Sequence, residues 1–204
     1  SPLKMFITPH IDEGKGISMQ KNTVANGWLY GKIKIENNIT DHNGFSGIHI
    51  NEGIRMDIIN NTAFNNSLSF DGNGNNLGIS VQVGDSIGIY NNISVAHPAG
   101  YAIAAGGTTH LSVSNNWVQG NIDSDIDALD ANTLFGDPLF EDTLQFRLQP
   151  TSPALDNSLG SVAPTSDYYC TERDLLPDRG AVELVAVLPI ELLYFKAMMQ
   201  INQS

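Results

Sequence analysis

A pair of asparagines that recurs behind a short β-branched run constrains this chain more than any other feature. It stands at Ile35-Glu36-Asn37-Asn38-Ile39, Ile58-Ile59-Asn60-Asn61-Thr62, Ile89-Tyr90-Asn91-Asn92-Ile93 and Val113-Ser114-Asn115-Asn116-Trp117. Measured at the second asparagine of each pair (38, 61, 92, 116), the spacings are 23, 31 and 24 residues. A second marker precedes three of the pairs: Gly47-Ile48-His49-Ile50, Gly78-Ile79-Ser80-Val81 and Gly100-Tyr101-Ala102-Ile103. Gly47 lies 13 residues before Asn60, and Gly78 lies 13 before Asn91. Two markers holding one phase define an internal repeat, and repeats must be read before any fold is assigned.

A period near 23 residues, made of short alternating strands and Asn/Gly turns, describes one coil of a β-solenoid. Successive coils would stack at the inter-strand spacing of about 4.8 Å. Composition agrees: the chain holds 21 Asn and 19 Gly, both poor in helices and both tolerant of the positive φ that tight turns demand. Alternation places Ile48, Ile50, Ile79 and Val81 inward and His49 and Ser80 outward. The longer interval carries residues 69–76, rich in Asn and Gly, as a loop bulging from the coil. Asn38, Asn61, Asn92 and Asn116 would stack as a ladder whose amides satisfy buried backbone groups at the turn. A β-sandwich with scattered Asn-rich turns is the competing reading, and it has no reason to keep Gly-apolar-x-apolar in phase with Asn-Asn.

The repeat is similar to that of the right-handed parallel β-helix in pectate-lyase-like proteins, over about residues 10–120. This resemblance implies an all-β solenoid of about five three-stranded coils. Downstream, Asp137-Pro138-Leu139-Phe140, Phe146-Arg147-Leu148-Gln149-Pro150, Ser152-Pro153-Ala154-Leu155-Asp156 and Asp178-Arg179-Gly180-Ala181-Val182-Glu183 resemble the choice-of-anchor Q segment that closes many secreted bacterial β-helices. Thr151 stands in its usual glycine position and Arg179 in its usual apolar one. Val187-Leu188-Pro189-Ile190-Glu191-Leu192-Leu193-Tyr194-Phe195 resembles the linker and first strand that follow such domains in type IX secretion substrates. The expected organisation is coils over 1–120, a closing segment over 121–185 and a linker strand over 186–204. The resemblances imply a secreted or cell-surface protein associated with extracellular polysaccharide, as a binding module or as part of a polysaccharide lyase.

Ten Lys+Arg against 22 Asp+Glu give a formal charge of −12. Binding to phosphates is driven by clustered cations, so nucleic acid is excluded as a partner, and anionic membrane surfaces are disfavoured. The most apolar stretch, residues 181–195, is broken by Glu183, Pro189 and Glu191, so membrane insertion is not expected. Cys170 stands alone, which rules out an internal disulfide, and a lone Cys reads as a small buried residue.

Uronate β-elimination needs a cation over the substrate carboxylate and a base for the C5 proton. Lys32, Lys34 and the outward His49 are the candidate ligand-binding group for that chemistry, although a solvated solenoid edge explains them as well. Trp28 and Tyr30, flanking an Asn-Gly turn, are the candidate sugar platform. Asp123, Asp125 and Asp127 are the candidate Ca²⁺ ligands; the run fails the EF-hand pattern, since Ala128 and Leu134 occupy the positions that need Gly and Glu. No other cofactor is implied. Paired-carboxylate hydrolysis has no signal, because the aspartates of the repeats do not recur in phase. The alternative function is structural or adhesive. Residues 186–204 form strands readily, and left unpaired they would add to the sheet edge of another copy, giving a filament or stalk.

Overall fold

The computed structural model describes residues 5–6, 14–20, 31–66, 77–97, 100–123, 126 and 130–185. Trp28, Tyr30, Asp125, Asp127 and the 186–204 strand, with the self-association expected of it, lie outside the described residues. After β1 (Met5–Phe6) the strands fall into four consecutive triads. These are β2 (Lys15–Gln20), β3 (Ile33–Glu36), β4 (Ile39–Asp41); β5 (Ser46–Asn51), β6 (Ile54–Ile59), β7 (Thr62–Asn66); β8 (Leu77–Gln82), β9 (Asp85–Tyr90), β10 (Ile93–Ala96); and β11 (Tyr101–Gly106), β12 (Thr109–Ser114), β13 (Trp117–Gln119). Two short strands follow, β14 (Asn121–Ile122) and β15 (Leu134–Phe135).

Corresponding strands of each triad pair in parallel into three sheets. The first holds β2, β5, β8, β11 and β14; the second β3, β6, β9 and β12; the third β1, β4, β7, β10, β13 and β15. The molecule is therefore the all-β parallel β-helix that the repeat requires.

Register explains the core. Ile48, Ile79 and Ile103 are Cα partners in successive coils, as are Ile50, Val81 and Ala105, and Ile58, Ile89 and Val113. These aliphatic columns are buried in one continuous cluster. Each buried Ile contributes about 1.5–3 kcal/mol of transfer free energy. The repeat glycine is required by space. A Cβ on Gly47 would lie 2.7 Å from the Gly78 carbonyl oxygen and 2.5 Å from Thr40 Oγ1.

The asparagine pair builds the corner between the second and third sheets, and its two members do different work. The first member, Asn37, Asn60, Asn91 or Asn115, has φ between 49° and 57° and turns the chain; asparagine is among the few L-residues that enter this region readily. The second member stacks. Asn38 Nδ2 donates to Asn61 Oδ1 at 3.0 Å, Asn61 Nδ2 to Asn92 Oδ1 at 3.0 Å, and Asn92 Nδ2 to Asn116 Oδ1 at 2.9 Å. Each Oδ1 also accepts the backbone N–H of the ladder residue in the preceding coil, and each of these Nδ2 groups reaches a backbone carbonyl. Asn43 and Asn66 form a second, shorter stack at the corner leading back to the first sheet, with Nδ2 to Oδ1 at 2.7 Å.

The segment after β15 lies along the flank of the stack, on the outer face of the third sheet. Phe146, Tyr168, Ala181 and Val182 pack on Ile39, while Leu148 and Ala154 pack on Ile93, Val95 and Trp117. The turn asparagines are its docking points. Asn60 Nδ2 donates to the Asp178 and Gly180 carbonyls, Asn91 exchanges hydrogen bonds with Leu159, and Asn115 Nδ2 reaches the Asn157 carbonyl. Arg179, in an apolar position of the motif, is fully buried. Its Nε and Nη1 donate at 2.8 Å to the Asn157 and Asn116 carbonyls, and its guanidinium lies 5.9 Å from the Trp117 ring. Arg173 is likewise buried, bonded to Glu183 at 2.7 Å and to Asn37 Oδ1 at 2.9 Å. Cys170 is a correction to the sequence reading. It is exposed and has φ 65°, because it sits in a surface turn of this segment and not in the core.

Two outcomes follow for stability. Asn92→Ala strands the Asn61 N–H and the Ile58 carbonyl inside the corner; at about 1–3 kcal/mol per buried unpaired group, urea unfolding should show a loss of about 3 kcal/mol, and a change under 1 kcal/mol would contradict the ladder's role. The second concerns pH. Burial pushes Asp178 from 3.8 up to about 7 despite its bonds from the Leu184 and Asp156 N–H groups, and burial raises Glu183 too, against the pull of Arg173. A carboxyl whose folded pKa is raised stabilises fully below its unfolded value, and that contribution is lost as pH rises through the folded one. Protection factors over 156–184, corrected for the intrinsic rise of base-catalysed exchange, should therefore fall between about pH 4 and pH 7, and Asp178→Asn should flatten the change. An equal slope in the variant would refute the assignment.

Candidate functional site

The candidate ligand group from the sequence does not assemble. Lys32 and Lys34 are about half exposed on the flank of the second sheet, where Lys32 Nζ meets Asp57 at 2.8 Å and Lys34 Nζ meets Glu36 at 3.9 Å. His49 is on β5 of the first sheet, so a different wall separates it from both lysines. It takes the opposite face of the strand from Ile48 and Ile50, as alternation requires. It is buried rather than solvated, with Nδ1 2.6 Å from Ser80 Oγ and its ring edge-on to Phe45. Burial, aided by the charge of Lys15, pushes its pKa down to about 4, so at neutral pH it is uncharged. A base-and-clamp arrangement of Lys32, Lys34 and His49 is thus corrected by the geometry. Alternation decides which face of a strand a residue takes, but not which of the three sheets the strand joins.

Asp123 follows β14; its N–H donates to the Ile103 carbonyl of the neighbouring coil at 3.0 Å, and its carbonyl accepts from the Ile126 N–H at 3.1 Å. Among the described residues no group of three or more His, Cys, Asp or Glu is placed to hold a metal ion.

What the fold does form is a groove of about 860 Å³ at the corner between the third and first sheets. Each of four coils supplies part of it: His42 after β4, Phe64 and Asn65 on β7, His97 after β10, and Gln119 to Asn121 around β13 and β14. Asp137, Phe140 and Thr143 of the flanking segment form the facing wall. Three inter-coil steps of about 4.8 Å give it a length of about 14 Å. Phe64 and Phe140 stack edge-on at 6.0 Å, and Phe146 locks both rings from behind at 5.4 and 5.3 Å. This gives the floor a rigid aromatic patch. Asp41 Oδ1 holds His42 Nδ1, orienting the imidazole.

The lining chemistry is specific. Asn65, Gln119 and Asn121 offer amides that both donate and accept, suiting hydroxyl groups with the same duality. No Lys or Arg lines the groove among the described residues, so no described side chain there brings a permanent positive charge to a uronate carboxylate. Asp137 is the only carboxylate in that lining, whereas paired-carboxylate hydrolysis needs two. The sequence reading missed this groove because one wall comes from a segment remote from the repeats. Its remaining signals, single His and Gln residues just past the ladder positions, carry no periodicity of their own.

If the groove binds through its amides, Gln119→Ala combined with Asn121→Ala should leave the melting temperature within about 2 °C of the parent, since both side chains are exposed. A collapse of the fold would show that they serve the corner and not a ligand. Compared with known proteins, the chain matches no family model, no curated protein and no solved structure.

Proposed function

We propose that this protein is a secreted or cell-surface β-helix module that associates with extracellular polysaccharide, seating uncharged sugar units in the corner groove. The supporting observation is one extended groove that crosses four coils, is floored by locked aromatic rings and is edged by amides. Aromatic faces take the apolar side of a sugar ring, while amides take its hydroxyls. The repeat spacing suits a polymer, because each coil presents its groups at a fixed step along one line.

The proposed role is binding and not turnover, since the described lining offers neither the cation for β-elimination nor the second carboxylate for hydrolysis. Affinity electrophoresis against a panel of neutral and acidic polysaccharides tests it. At least one neutral polymer should retard the protein, and the Gln119→Ala, Asn121→Ala double variant should weaken that retardation about tenfold or more. Equal mobility in every neutral gel, or an unchanged affinity in the double variant, would remove the reading.

A further inference from the structure

The outer flank of the second sheet carries a second groove, of about 480 Å³, whose chemistry differs from that of the corner. Arg55, Ser86 and His110 each occupy the second position of β6, β9 and β12, between the register partners Ile54, Asp85, Thr109 and Met56, Ile87, Leu111. All three are in the left-handed region, with φ of 55°, 58° and 49°. They form a column two inter-strand steps long, about 10 Å. Arg and Ser gain nothing locally from such a conformation, which Gly or Asn would take at less cost.

The floor is aromatic. Gly88 lies on the outward column between Asp57 and Ser112, and a Cβ there would fall 2.2 Å from Tyr90 Cε2 and 2.6 Å from Tyr90 Cζ. The missing side chain lets the Tyr90 ring lie flat across the strand. Charge is arranged around that ring. Each nearby carboxylate is engaged: Asp57 by Lys32 at 2.8 Å, Glu36 by Lys34 at 3.9 Å, and Asp85 by His110 and Thr109, both at 2.7 Å. Arg55 is exposed and carries no side-chain ion pair or hydrogen bond among the described residues. On a chain of net charge −12, a guanidinium unpaired among the described residues and lining one groove with a half-buried aromatic ring is the complement of an anion borne on a ring.

We infer that the flank formed by Arg55, Lys32, His110 and the Tyr90–Gly88 platform is a binding site for an anionic sugar unit, its ring stacked on Tyr90 and its carboxylate or sulfate on Arg55. A planar guanidinium takes either group through two parallel N–H donors. This site is separate from the corner groove, and neither reading depends on the other.

Calorimetric titration at low salt with polygalacturonate, dextran sulfate and uncharged dextran tests it. Binding of either anionic polymer, weakening with added salt, is expected; which of the two binds identifies the anion. Arg55→Asn removes the charge but keeps a side chain that tolerates the left-handed backbone, and it should weaken binding about tenfold or more. Arg55→Lys should restore part of the loss. Gly88→Ala, whose Cβ meets the edge of the Tyr90 ring and an Asp57 carboxylate oxygen rather than backbone, should weaken binding with the fold retained. The Gln119→Ala, Asn121→Ala variant should bind the anionic polymer as the parent does. No binding of either anionic polymer, binding of uncharged dextran to the Gln119→Ala, Asn121→Ala variant as tight as that of the anionic polymer, or undiminished affinity in Arg55→Asn would each overturn the site.

Discussion

One side-chain amide per coil holds this molecule to its shape. At the corner between the second and third sheets the N–H groups of Asn38, Asn61 and Asn92 bond to side-chain oxygens of the next coil, while their neighbours keep backbone partners there. Asn61 and Asn92 supply the partners: an oxygen for the N–H of the coil before, and a nitrogen for a carbonyl and for the next amide in the column. A buried unpaired group of this kind costs about 1–3 kcal/mol, so the ladder lets a corner be both tight and dry. Aliphatic columns such as Ile48, Ile79 and Ile103 then stack in register because the corner has fixed the phase of every coil.

The neighbouring asparagine extends this logic outward. Turned into the left-handed region, Asn37, Asn60, Asn91 and Asn115 offer their amides to the flank, where the segment 156–181 docks on them. One dipeptide thus serves both the axis of the solenoid and the attachment of its outer layer. The two buried arginines belong to that layer. Arg179 reaches the carbonyl of Asn116, and Arg173 reaches the side chain of Asn37, so each guanidinium meets the coils at an asparagine pair.

The solenoid was legible in the sequence because its physics is periodic. Asn38, Asn61, Asn92 and Asn116 repeat with the coil, and Gly47 and Gly78 mark close approaches that recur with it. The surfaces were less legible. Alternation puts His49 on the outward side of its strand, yet burial of that outer face makes it a neutral, bonded residue and not a solvated one. Cys170 fell outside the rule for lone cysteines because its segment is mostly turns. Neither groove could be seen in advance. The corner groove needs Asp137 and Phe140 brought against four coils, and the flank groove needs Tyr90 folded over Gly88, a contact between residues whose individual letters carry no motif.

The two grooves differ in charge because they sit on walls with different neighbours. The corner is faced by the flanking segment and has neither Lys nor Arg among its described lining residues; the second sheet's flank collects Lys32 and Arg55. Both rest on coils held in phase by the ladder, so the ladder is the claim to test most directly. Side-chain amide hydrogen exchange of Asn61 and Asn92, followed by NMR, does so: both NH₂ groups should exchange only through global unfolding, many orders of magnitude slower than an exposed Asn such as Asn121. Exchange at the exposed rate while the backbone stays protected would contradict it.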